Sequence, residues 1–264
     1  MNKEDKYDSS AVWGRIWSSD KACEDFEYWF IRDMASVRTQ RILDYLNKYF
    51  DNLKGLKAIE LGSGMGVYSL IMAKRGSYVT LCDKNPLALS KAEARFKKDG
   101  IAANFIEKDI FSLNSNLLGT FDIAMSFGLV EHFLGNNRFN AVKMHFDLVK
   151  DGGVVIVSVP NKIFLPHEML KKYLIFRKKW QLGYEVSFSK FELYNIAKRL
   201  KLKDVQIVGS SFTADIKRYI KLYRDTNMLN NVFGKIKKEL KLKEERPGIF
   251  DNVLGADIVL LGRK

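Results

Sequence analysis

From Lys57 onward, short apolar runs alternate with segments patterned at helical spacing, and that alternation leaves few folds open to the chain. KAIELG (57–62), SYVTLCD (77–83), ANFIEKD (103–109), FDIAMSF (121–127) and VVIVSVP (154–160) read as strands. Between them, VYSLIMAKRG (67–76), PLALSKAEARFKKDG (86–100) and NRFNAVKMHFDLVKDGG (137–153) read as helices that end at glycines. Pro86 suits a first helical turn because its φ is already helical, and Gly100 suits the left-handed position past a helix end. Strands alternating with helices form βαβ units, whose right-handed crossovers make a parallel sheet with helices on both faces. The tail continues the pattern with a helix over 190–202, a strand over 203–212, a basic helical stretch over 214–243 and a closing strand over 255–264. The first fifty residues carry Tyr7, Trp13, Trp17, Phe26, Tyr28, Trp29 and Phe30 and then become a periodic helix over 33–50. They are expected to form a lid and a leading helix (1–50), followed by one ligand-binding domain (51–264) with inserts at 161–200 and 213–250.

The turn after the first strand is AIELGSGMGVYSL (58–70), where Gly62, Gly64 and Gly66 alternate with other residues. Glycines at a strand-to-helix turn permit positive φ and let backbone N–H groups approach a ligand closely. A dinucleotide site prefers G-x-G-x-x-G. Here the third glycine comes one residue early, and Val67 holds the position that pattern wants. There is no G-x-x-x-x-G-K-[ST], so a P-loop is excluded.

The segment ELGSGMG (60–66) resembles motif I of the class I S-adenosylmethionine-dependent methyltransferases, whose pattern is [D/E]-x-G-x-G-x-G. Further segments match that family in order. Asp83 ends the second strand, KDIF (108–111) ends the third, FDIAMSFGLVEHF (121–133) resembles the fourth-strand motif with its Glu-His pair, and LVKDGGVVIVSVPN (148–161) resembles the fifth. The resemblance implies a doubly wound α/β fold, Rossmann-like, with a mostly parallel seven-stranded sheet, helices on both faces and an antiparallel last strand. It implies S-adenosylmethionine as cofactor. A carboxylate can accept from both hydroxyls of a ribose diol, so Asp83, with Lys84 beside it, is the candidate for the sugar. Asp109 and the Ile110 amide are candidates for the adenine edge. The glycine loop (Gly62, Ser63, Gly64, Gly66), Ser126 and Phe127 suit the zwitterionic methionine tail, and Glu60 could hold its ammonium. Asp83 and Asp109 could also be ordinary strand-end turn acids.

Methyl transfer from a sulfonium chiefly needs positioning, with a base where the nucleophile is a hydroxyl or protonated amine. Of three histidines, His132 follows the fourth strand and is the first candidate for a base or acceptor-orienting group. It could equally cap the loop. His167 opens the first insert and could enter the pocket, and His145 falls inside a helix. The fourth-strand exit reads Ser126-Phe127-Gly128-Leu129, not the Asn/Asp-Pro-Pro-aromatic element with which base-methylating members stack a flipped base. A small-molecule O or N acceptor is therefore expected, with an RNA methyltransferase or a catalytically silent cofactor-binding module as alternatives.

The net charge of +13 is concentrated: residues 161–200 carry +6 and residues 213–250 carry +5. A localised basic field implies an anionic partner. In LKKYLIFRKKWQLGYEVSF (170–188), cations mix with Tyr173, Phe176, Trp180 and Tyr184. This composition suits a cap over an anionic small molecule, peripheral contact with a membrane surface, or a nucleic-acid groove, while core packing accounts for most of the aromatics. Two cysteines, Cys23 and Cys82, suggest neither a disulfide framework nor a metal site. The polar start MNKEDKYDSS and the absence of a ~20-residue apolar run lead to the expectation of a soluble, cytoplasmic protein. The oligomeric state is not legible.

Overall fold

A computed structural model describes residues 10–19, 21–224 and 245–264. Three helices lead: α1 (Ser10–Ser18), α2 (Lys21–Met34) and α3 (Val37–Leu46). Then come β1 (Lys57–Leu61), α4 (Val67–Ala73), β2 (Tyr78–Asp83), α5 (Pro86–Lys98), β3 (Asn104–Glu107), β4 (Phe121–Phe127), α6 (Gly135–Leu148) and β5 (Val149–Pro160). The chain continues through α7 (Leu165–Phe176), α8 (Lys190–Arg199), β6 (Lys203–Gly209), α9 (Phe212–Arg224), α10 (Asp251–Leu254) and β7 (Asp257–Arg263).

The seven strands form one sheet in the order β3-β2-β1-β4-β5-β7-β6. The first five pair in parallel, and β7 runs antiparallel to both β5 and β6. The side-chain period of two assigns each strand residue to a face. Ala58, Ile123, Met125, Ile156 and Val259 pack under α2 to α5 with Phe26, Tyr45, Leu70 and Phe96. Their neighbours Ile59, Ala124, Val155, Val157 and Leu260 pack under α6 and α8 with Ala141, Val142, Leu193 and Ile196. Helices therefore cover both faces, as expected of the doubly wound class.

Two boundaries differ from the sequence reading. The helix expected over 137–153 ends at Leu148, and β5 begins at once with Val149. Buried Val149 pairs with Phe121, and the register then jumps to Ile123↔Val154, so residues 150–153 form a bulge. The leading helix expected over 33–50 is divided by Ser36, whose hydroxyl accepts the Thr39 amide and caps α3. The stretch 225–244, within the basic helix expected over 214–243, lies outside the described residues. Among the described residues no helix is long and apolar enough to cross a membrane.

Candidate active site

Strand order reverses around β1, whose neighbours are β2 on one side and β4 on the other. In an open parallel sheet, ligands bind in the crevice at the carboxyl ends of the strands where this reversal occurs. The glycine loop leaves β1 at that point. Gly62, Gly64 and Gly66 all have positive φ, at 59°, 51° and 71°. A Cβ on Gly66 would collide with Leu81, so this glycine seats α4 on the sheet. A Cβ on Gly64 would lie 2.8 Å from the ring of Trp17 in α1, so the N-terminal helix lies directly on the bare loop.

The acids of the sheet's carboxyl edge are held by amides. Asp83 Oδ2 accepts from the Gly64 N–H at 2.8 Å and Oδ1 from the Asn85 N–H at 2.9 Å. Burial raises the Asp83 pKa, against the lowering effect of those two bonds. Asp109 accepts the Phe111 amide and caps a single 3₁₀ turn, Ile110–Ser112, with Ile110 buried. Glu60 is buried at the end of β1, and its Oε2 accepts from both the amide (2.8 Å) and the hydroxyl (2.5 Å) of Ser69. Desolvation outweighs these bonds and pushes its pKa to about 7. The hydroxyls of Ser63 and Ser126 are buried without a partner.

A cavity of about 1060 Å³ opens over the loop. Of the residues singled out in the sequence, it brings together Glu60, Gly62, Ser63, Gly64, Phe127 and His132. Gly66, Asp83, Lys84, Asp109, Ile110, Ser126 and His167 are not among its lining residues. All four tryptophans of the chain, Trp13, Trp17, Trp29 and Trp180, line it.

His132 ends a 3₁₀ turn, Val130–His132, after β4. Its Nδ1 lies 2.7 Å from the carbonyl of Tyr184, which can only accept. Nδ1 therefore carries the proton, and Nε2 is left with its lone pair. Burial lowers the His132 pKa, so the ring stays neutral. Trp13 packs edge-on against it at 5.4 Å. Beside it, Glu131 is buried with Oε2 unpartnered. Burial, reinforced by nearby Glu185, raises its pKa well above its ordinary value.

His167 is engaged at both nitrogens, with Tyr219 Oη and Glu185 Oε1 each at 2.8 Å. Burial raises the Glu185 pKa, but the bonds and charges of His167 and Lys171 outweigh it and hold the group below its usual value. His145 sits in α6 with Nδ1 2.9 Å from the Ala141 carbonyl, and burial lowers its pKa to about 4. Opposite the loop, Arg38 donates to Tyr68 Oη at 2.8 Å and to Asp257 Oδ2 at 2.8 Å, and lies over the rings of Tyr68 and Phe127. Sequence reading missed Arg38 and Asp257, whereas residues 178–183, which line the cavity, fall within the segment read there as a cap. Glu131 was visible only as the partner in its Glu-His pair.

The sequence model of a family described as Methyltransferase domain matches residues 58–153. Residues 58–153 thus carry a methyltransferase domain, in line with the resemblance to the class I S-adenosylmethionine-dependent methyltransferases. The chain is 23% identical over 142 residues to a ubiquinone biosynthesis O-methyltransferase of Rickettsia canadensis, covering 53% of this chain and 58% of the relative. The chain thus spans little more than half the length of that relative. A ubiquinone biosynthesis O-methyltransferase of Shewanella halifaxensis is 25% identical, over 72% of this chain and 82% of its own. Magnesium protoporphyrin IX methyltransferase of Synechocystis PCC 6803, crystallised with bound SAH, shares the fold. Its TM-score is 0.58 at 14% identity, over 89% of this chain and 83% of that one.

The residues present fit the family's cofactor, S-adenosylmethionine. A loop of positive-φ glycines offers bare main chain, the unpartnered Ser63 hydroxyl offers a polar contact, and buried Glu60 offers an acceptor for an ammonium group.

Proposed function

We infer that this methyltransferase transfers the methyl group of S-adenosylmethionine to an oxygen or nitrogen centre of a small molecule held in the tryptophan-walled cavity. When bound, the cofactor supplies a methyl group already activated by its sulfonium. The chain's own residues position the partners and manage one proton. The glycine loop, Ser63, Ser126 and Phe127 hold the methionine end, with Glu60 accepting from its ammonium. Asp83, with Lys84 alongside, holds the ribose, and Asp109 and the Ile110 amide hold the adenine edge. His132 Nε2 takes the acceptor's proton as its oxygen or nitrogen attacks, while the Tyr184 carbonyl fixes the tautomer and steadies the imidazolium that forms. His167 stands behind Glu185 as a positioning residue. Residues 1–50 serve as lid and leading helix over the domain 51–264.

The observation that carries this reading is the neutral His132, its Nε2 uncommitted, on the wall of a cavity of about 1060 Å³. That volume matches the upper end of the roughly 300–1,000 Å³ of small-molecule sites. Arg15, Lys178 and Lys179 on the wall suit an acceptor with an anionic group. Calorimetric titration with S-adenosylmethionine and with a nicotinamide dinucleotide tests the cofactor, with binding of the first alone expected. Labelled methyl transfer to a panel of phenols, carboxylates and amines tests the acceptor. Absence of S-adenosylmethionine binding, or labelling of generic RNA in place of every small molecule, would overturn the reading.

A further inference from the structure

Helix α7 mixes charge into its inward side and leaves apolar side chains outward. Its inward side carries His167, Leu170, Lys171 and Leu174. The buried Lys171 ammonium bonds Glu168, Glu185 and Ser187, so charged groups occupy the side where a soluble helix ordinarily puts aliphatic ones. Positions 165, 169, 172, 173 and 176 form the outward stripe, spaced as one face of a helix. That stripe reads Leu165, Met169, Lys172, Tyr173 and Phe176. Leu165 is 65% exposed, Met169 63% and Phe176 83%, and Ile163 and Ile175 are exposed at its margins. An apolar patch of this kind on a folded surface marks a docking site.

Charge identifies what covers it. Residues 162–179 hold six cations, Lys162, Lys171, Lys172, Arg177, Lys178 and Lys179, against one acid, Glu168. Glu168 is itself bonded to Lys171 and Ser187. An apolar stripe bordered by cations is the composition of a helix lying in the plane of a lipid interface.

We propose that α7 docks on an anionic membrane surface, with Leu165, Met169 and Phe176 in the boundary between headgroups and acyl chains and Lys162, Lys172 and Arg177 against the headgroups. The segment that follows α7, residues 178–183, lines the cavity, so the docked helix runs directly into the cavity wall. The surface stands independently of the methyl-transfer reading, because membrane binding and cofactor binding are measured separately.

The test is co-sedimentation of the full chain with extruded vesicles of phosphatidylcholine alone or of phosphatidylcholine with phosphatidylglycerol. Binding is expected to the anionic vesicles, to be weakened by salt, and to be absent from the zwitterionic ones. Met169→Ser/Phe176→Ser should weaken binding about tenfold or more, and Lys172→Glu about fivefold or more. Thermal melts matching the native chain verify the fold, and single Phe176→Ser serves if the double variant melts early. Failure to bind anionic vesicles, or equal binding by the serine variants, would overturn the proposal. So would sedimentation velocity showing a dimer that the serine variants abolish, which would make the stripe a contact between copies.

Discussion

Replacing Glu60 with glutamine tests the buried acid at the heart of the loop. In the ligand-free protein its pKa stands at about 7 against an ordinary 4.5, chiefly through burial. A pKa raised by folding means the folded state holds the proton more tightly. The stability this contributes is fully present below 4.5 and is lost as the pH rises through about 7. At about 1.4 kcal/mol per pH unit, the loss is about 3 kcal/mol. Glutamine keeps an oxygen that can accept from the Ser69 amide and hydroxyl but carries no charge at any pH. Glu60→Gln should therefore match the native chain in acid and exceed it in stability by about 3 kcal/mol above neutrality, a gain of roughly 6–12 °C in Tm. Binding should show the opposite preference. If the carboxylate accepts the cofactor's ammonium, affinity falls up to about tenfold per pH unit below the pKa, and Glu60→Gln binds weakly with no such slope. Differential scanning calorimetry and isothermal titration across the same pH series read both effects. A glutamine variant that tracks the native chain in both melting and binding would refute the assignment.

His132→Asn keeps a donor for the Tyr184 carbonyl and removes the lone pair of Nε2, so kcat should fall roughly 10²–10⁴-fold with cofactor affinity unchanged in calorimetry; an unaltered kcat would remove the base. Since burial lowers the His132 pKa below its usual 6.5, native activity should already be on its plateau at neutral pH, and the acid limb should disappear in the variant. Gly66→Ala should destabilise more than Gly100→Ala, although their φ values, 71° and 68°, are alike. Both incur about 1–2 kcal/mol of left-handed strain, and only Gly66, facing Leu81, adds about 1–3 kcal/mol of overpacking; equal melts would contradict the packing role. Because all four tryptophans line the cavity, S-adenosylhomocysteine should change the intrinsic fluorescence, and Trp17→Phe should remove part of that change. Binding seen by calorimetry with no optical change would argue against α1 as a lid.

The sheet was legible because its signals are local. Each strand is a short apolar run between a turn and a helix; the glycine loop follows β1 directly, Asp83 ends β2 and Asp109 lies two residues past β3. Strand direction came from the family resemblance, since nothing in GADIVLLGRK by itself says that β7 runs against β5. The end of α6 was misread for a local reason too. Gly152 and Gly153 look like a helix stop, but the buried partner of Phe121 is Val149, and tertiary pairing pulls the chain into a strand five residues earlier than the glycines suggest.

The acceptor half of the site was less legible because it is assembled from chain segments far apart in sequence. Arg38 lies 219 residues from Asp257, yet the two share a bond in the cavity wall. The tautomer of His132 is decided by a carbonyl 52 residues away. In the sequence, Trp13 and Trp17 read as aromatics of an expected lid, and what they cover emerges only from α1 lying across Gly64 and His132. This division has a physical basis. A bare main-chain loop at a switch point is built by one turn of one strand, so its recognition chemistry is written in consecutive residues. A closed chamber around a second molecule must have walls on several sides, and consecutive residues cannot supply them. On the proposed reading, substitutions in residues 178–185 and at the β7 entry should change acceptor choice while leaving cofactor affinity in place, as activity against an acceptor panel and calorimetry with S-adenosylmethionine would check.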